Sequence, residues 1–157
     1  MSESPSRIAV LVVGDLFSPD MRKVEKRVEE LARDGCDVRI FPRVAEAIAS
    51  SAGVWHPDLA IVCLHWPDEY GAAEVRQLFE AFPLARPICF YGPWCASDGR
   101  TRDVWPLSIR IPAALAHRRI DLEIDVLAGT RWPLPLTGAR DEIFLFDPEI
   151  EIEARAS

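Results

Sequence analysis

At 157 residues the chain has the length of one ordinary domain, long enough to bury a core without disulfides or a structural metal. Its 49% hydrophobic and 27% charged residues are those of a globular protein, and no apolar run approaches the length needed to cross a bilayer. Against 25 acidic residues there are only 18 basic ones, a net charge of -7, and basic clusters such as Arg118-Arg119 are short, which argues against nucleic acid as a partner.

Residues 1–6 read as a disordered lead-in. They lack the basic start and apolar stretch of a secretory signal, so a cytoplasmic setting is expected. Cys36, Cys63, Cys89 and Cys95 form no CxxC pair, and His56, His65 and His117 do not stand at zinc-ligand spacings beside them. In a reducing compartment these cysteines read as free thiols, and neither a metal nor a cofactor is expected.

Residues 7–13, RIAVLVV, form a continuous apolar run ended by Gly14-Asp15, as a strand buried on both faces requires. Pro19 suits the first turn of a helix, in which Met21, Val24, Val28 and Leu31 recur at helical spacing until Gly35 stops it. Residues 38–41 read as a short second strand and residues 44–51 as a short helix. A buried third strand covers residues 59–64, and a helix from about Gly71 carries the apolar stripe Val75, Leu78, Phe79 and Phe82. Residues 88–91 and 108–111 supply strands four and five, and a helix spans residues 112–127 with Pro112 in its first turn.

Strands alternating with helices predict an α/β fold: a doubly wound, five-stranded parallel sheet, flavodoxin-like, in the order 2-1-3-4-5. The domain spans residues 7–128. In such folds the functional crevice lies beyond the carboxyl ends of the strands, near the switch point between strands one and three, which gathers Gly14, Asp15, Cys63, His65 and Tyr91. After Gly129 come Trp132, two prolines and the apolar run Ile143-Phe144-Leu145-Phe146, an extension (residues 129–157) expected to pack on the domain or on a partner.

The stretch His56-Pro57-Asp58-Leu59 through Leu64-His65-Trp66-Pro67 to Gly71 resembles the third strand and following loop of response-regulator receiver (CheY-like) domains, PDLxxxDLxMPxxxG. Pro57, Asp58, Leu59, Leu64, Pro67 and Gly71 fall into register. The resemblance implies a phosphorylation pocket with an acidic pair after strand one, an acceptor aspartate, a hydroxyl ending strand four and a lysine ending strand five. Those positions hold Gly14 and Asp15, Cys63, Tyr91 and Ile111, so four of the five are substituted. Phosphotransfer needs a carboxylate acceptor and a metal held by carboxylates, and Cys63 with Asp15 alone supplies neither. The resemblance therefore implies a degenerate pseudo-receiver. Restoring the pocket would call for Gly14→Asp and Ile111→Lys together with Cys63→Asp.

Three other chemistries compete. Cys63 and His65, two apart on a strand, would share a face, as in a thiol enzyme or redox sensor; the blander reading makes Cys63 a small buried hydrophobe. Residues 14–19 join a strand to a helix, where a flavin or nucleotide phosphate could bind, but Asp15 and Asp20 would repel an anion. Trp66, Trp94 and Trp105 come from loops after strands three and four; they read equally as a binding surface or as bulk refilling the former pocket. The combined expectation is a non-phosphorylatable module of signal transduction acting by protein-protein interaction, with a protein partner or self-association. Its candidate surface is His65, Trp66, Trp94, Trp105, Trp132, Phe144 and Phe146. The alternative is a small-molecule or thiol-dependent enzyme using the crevice near Cys63.

Overall fold

A computed structural model describes residues 7–51, 53–95, 105 and 109–135. Every residue of β1 (Ala9–Val13) and β3 (Leu59–Leu64) is buried, because both strands lie inside the sheet and are covered on both faces. Around them run α1 (Arg22–Arg33), β2 (Asp37–Phe41), α2 (Val44–Ser51), α3 (Ala72–Ala81), β4 (Arg86–Tyr91), β5 (Arg110–Pro112) and α4 (Ala116–Leu127). All strand pairs are parallel and the order is β2-β1-β3-β4-β5, the doubly wound order expected from the sequence.

Successive side chains on a strand point to opposite faces, and the core divides accordingly. Val10, Val12, Ile61, Cys63, Ile88, Phe90 and Ile111 face Val24, Val28 and Leu31 of α1 and Ala116 and Ile120 of α4. Leu11, Val13, Ala60, Val62 and Cys89 face Val44 and Ala47 of α2 and Val75 and Leu78 of α3. Asp58 ties the strand starts together: its carboxylate accepts the Ala9 N–H at 2.9 Å, its own N–H donates to Ala9 at 2.8 Å, and its carbonyl accepts from Arg86 at 2.9 Å.

Several boundaries differ from the sequence expectation by a few residues, and three involve a proline. The segment from Pro19 opens as a 3-10 turn, Pro19–Met21, before α1 begins. Pro112 ends β5 instead of starting a helix, and a 3-10 turn, Ala113–Leu115, leads into α4. β4 starts at Arg86, so Pro87 lies within it; among the described residues pairing with β5 begins only at Cys89, two residues past the proline that lacks an N–H.

α4 is fastened at its middle, on two sides. On one side Arg27 of α1 donates to Asp121, at 2.7 Å and 3.0 Å. Deeper in, Glu123 accepts from Arg119 at 2.8 Å and from Arg86 of β4, with the Arg119 and Glu123 side chains 2% exposed. Beyond α4 the described chain reaches residue 135, and Leu134 is buried in the cluster beneath α1 and α4. Among the described residues no helix is long and apolar enough to cross a membrane.

Candidate functional site

At the carboxyl end of β1 the chain turns through Gly14, buried with φ +106°, whose N–H donates to Phe41 at 2.9 Å. Only glycine enters this conformation without strain, and the space forbids any other residue: a Cβ here would stand 2.5 Å from the Tyr70 hydroxyl oxygen and 2.8 Å from the Cys63 carbonyl oxygen. Tyr70 closes the opening by donating its hydroxyl to that carbonyl at 2.9 Å. Beneath it Cys63 is 0% exposed, in one apolar cluster with Val12, Phe90 and Ile111.

Burial pushes the Cys63 thiol up to about 12, with the carboxylates of Glu69 and Asp15 adding to the effect. Cys89 and Tyr70 are also raised by burial. Such a thiol is neither a ready nucleophile nor a hard metal ligand. Ile111 is as deeply buried as Cys63, while Tyr91 is half-buried and faces a separate cavity of about 610 Å³ beside Pro112 and Lys23. Gly14, Cys63 and Ile111 thus belong to a sealed apolar strand end; Asp15, though adjacent to Gly14, turns out to solvent.

His65 does not pair with Cys63 as the two-residue spacing suggested. Its ring reaches across to the β1–α1 loop, where Nε2 lies 2.9 Å from the Asp15 carbonyl oxygen and 3.0 Å from Ser18 Oγ. Its Nδ1 lies 3.1 Å from each oxygen of Glu69, and Glu69 also accepts the His65 backbone N–H at 2.7 Å. The ring is almost wholly buried, so these contacts replace water. Asp15, Ser18, His65 and Glu69 line a cavity of about 470 Å³, with Asp20, Trp66 and Trp94 completing its wall.

The tryptophans separate. Trp66 and Trp94 are 56% and 77% exposed and share that cavity, and Trp132 is 89% exposed. Trp105 is 4% exposed and stands edge-on to Tyr70 and Phe79, with ring centroids 6.1 Å and 5.8 Å apart. As placed, it is core and not part of an exposed surface, which corrects the expectation for that residue. Phe144 and Phe146 lie outside the described residues. Among the described residues no group of three or more His, Cys, Asp or Glu is arranged to hold a metal ion.

Glu69 is the residue that sequence reasoning missed. The signal was available: a histidine just past β3 with a carboxylate four residues on, facing a serine that follows β1 across the switch point.

No family model matches the chain, and no curated protein matches it. Among solved structures it is similar to a fusion carrying amino acids 181–211 of the yeast Spc42 trimeric coiled coil, at 14% identity and a TM-score of 0.52, over 94% of this chain and 96% of that one. It also matches a response regulator from Burkholderia pseudomallei, with a phosphorylated aspartic acid, calcium ion and citrate, at 19% identity and a TM-score of 0.49 over 78% and 72% of the two chains. A third is a CheY-like receiver domain protein from Methanospirillum hungatei JF-1, at 15% identity and 0.41 over 97% and 100%. The chain is a doubly wound α/β protein with the 2-1-3-4-5 sheet.

Proposed function

We propose that this protein is a receiver-like regulatory module that has given up aspartyl phosphorylation and acts by contact with a protein partner. The observation that carries the reading is the sealed strand end. Cys63, in register with the acceptor of the receiver motif, lies at 0% exposure beneath Gly14 and Tyr70, and Ile111, in register with the lysine, at 2%. A phosphoryl donor would find neither an oxygen nucleophile nor a cation to pair with the transferring group. The contact surface in this reading is the rim of the crevice, where Trp66 and Trp94 stand exposed, since tryptophan is favoured at the energetic centre of interfaces. Cytoplasmic placement fits four cysteines that are all free thiols. The thiol-enzyme alternative is disfavoured by a Cys63 thiol that stays protonated at neutral pH.

The test is incubation of the full chain with acetyl phosphate, or with beryllofluoride, in the presence of magnesium, followed by intact mass and by amide NMR. We expect no phosphoryl adduct and no shift of resonances around Gly14 and Cys63. A phosphorylated species at the strand end would overturn the reading.

A further inference from the structure

We propose that Ser18, His65 and Glu69 form a nucleophilic acyl-transfer site, with Ser18 as nucleophile and small neutral or cationic esters as its substrate class. The proposal is independent of the receiver resemblance. It rests on the order hydroxyl, imidazole, carboxylate, in which Ser18 Oγ lies 3.0 Å from Nε2 and both Glu69 oxygens lie 3.1 Å from Nδ1. That is the geometry by which a base takes a serine proton while an oriented carboxylate holds the ring.

Two further observations support it. Ser18 occupies the N-cap position of the turn at Pro19, with an extended backbone (φ -68°, ψ 152°), yet its side chain makes no capping bond. Serine is favoured at such positions because its oxygen accepts a helix N–H; here that oxygen is turned to His65 instead. Glu69 is also held from a second direction by the His65 backbone N–H at 2.7 Å, which fixes the carboxylate before any substrate arrives.

The step balances within these groups and water. With Nδ1–H donated to Glu69, Nε2 accepts the Ser18 hydroxyl proton as Oγ bonds to the ester carbonyl carbon. The Asp15 carbonyl, 2.9 Å from Nε2, opposes the bare nitrogen before the transfer and accepts its N–H afterwards, so it stabilises the imidazolium and lowers the share of the ring ready to act as a base. The proton then passes to the departing alkoxide as the ester C–O bond breaks, leaving acyl-Ser18. Water, deprotonated by the same nitrogen, cleaves the acyl group as a carboxylic acid and restores the hydroxyl.

The cavity sets the substrate. At about 470 Å³ it suits a small molecule, its Trp66 and Trp94 walls suit a flat or cationic group, and Asp15 and Asp20 exclude anions. Those carboxylates also oppose the negative charge that builds on the carbonyl oxygen. Turnover is therefore slow, and covalent capture is the sensitive readout.

The experiment treats the full-length protein with an alkyl fluorophosphonate, which leaves its phosphorus on the serine oxygen and releases fluoride, and separately with para-nitrophenyl acetate. Intact mass and peptide mapping locate the adduct. We expect one adduct, on Ser18, absent from the urea-unfolded chain and from Ser18→Ala. In His65→Gln the labelling rate should fall about 100-fold, the scale of a lost general base. Glu69 positions the ring, so Glu69→Gln should lower the saturating rate while leaving the half-saturating reagent concentration unchanged. No adduct, an adduct elsewhere, or labelling of Ser18 at the same rate after unfolding or in His65→Gln would overturn the proposal and leave the cluster as a clasp between loops. Mapping on the unmodified chain decides the matter even if a variant fails to fold.

Discussion

Cys63 and His65 are two residues apart, and their surroundings make them opposites. Cys63 is closed in by Gly14, Tyr70 and apolar neighbours, and burial keeps its thiol protonated. His65 is nearly as buried, but both its ring nitrogens meet polar partners and its far edge borders an open cavity. Burial without partners makes a polar side chain inert; burial among partners fixes its geometry and keeps it available.

The most severe way to break this contrast is Gly14→Asp, which sequence alone suggests as part of restoring a phosphorylation pocket. The positive φ, the clash with Tyr70 and Cys63, and a carboxylate without a partner together should cost about 3 to 5 kcal/mol. Urea denaturation measures it; a native-like midpoint would show that the strand end is open after all. That route to a working receiver is closed by backbone geometry, whatever is placed at Cys63 and Ile111.

The next effect is alkaline. A thiol whose folded pKa lies above its unfolded value contributes stability that is complete below the unfolded value, near 9, and lost as pH rises through the folded one, at about 12. Melting temperature should therefore fall across that window, and less steeply in Cys63→Ala. Cys89, raised in the same direction, keeps part of the slope in the variant. Equal slopes would mean that Cys63 is less enclosed than its packing indicates.

On the polar side, His65→Leu should cost about 1 to 3 kcal/mol, because Glu69 and the Asp15 carbonyl lose a partner in a place water reaches poorly. A loss as small as that of a surface residue would remove the claim that the cluster is built. The mildest change is Trp94→Ala. With the ring 77% exposed, stability should stay within about 0.5 kcal/mol of the parent, while partner or reagent binding at the crevice weakens.

Strands whose apolar runs are continuous, β1 and β3, were legible because burial on both faces leaves no polar position to blur them, whereas the half-buried Arg86 hid the start of β4. The sheet order followed from the strand–helix alternation. The helix starts were less legible: Pro19 and Pro112 both mark a first turn in sequence, yet one opens a 3-10 turn and the other closes a strand. At the site, sequence placed Gly14, Asp15, Cys63, His65 and Tyr91 at one edge and weighed Cys63, as a lesser alternative, as a neighbour for His65; its actual partners, Ser18 and Glu69, were not foreseen. The period of a strand predicts a shared face only while the strand continues, and β3 ends at Leu64, so His65 is free to turn toward the β1 loop. Trp105 misled for a different reason: a loop position says nothing of whether the loop folds over the core.

The joint between α1 and α4 has a consequence for the order in which the chain is made. Arg27 and Asp121 stand 94 residues apart in sequence, and the face of α1 that packs under α4 lacks that cover until α4 is synthesised. At ribosomal rates the delay is roughly 5 to 20 seconds. During that interval the nascent sheet offers an open apolar face, so any chain stalled before α4 is a natural client for chaperones or proteases. The ion pair between α1 and α4 then forms only once both helices of that face are present to close it.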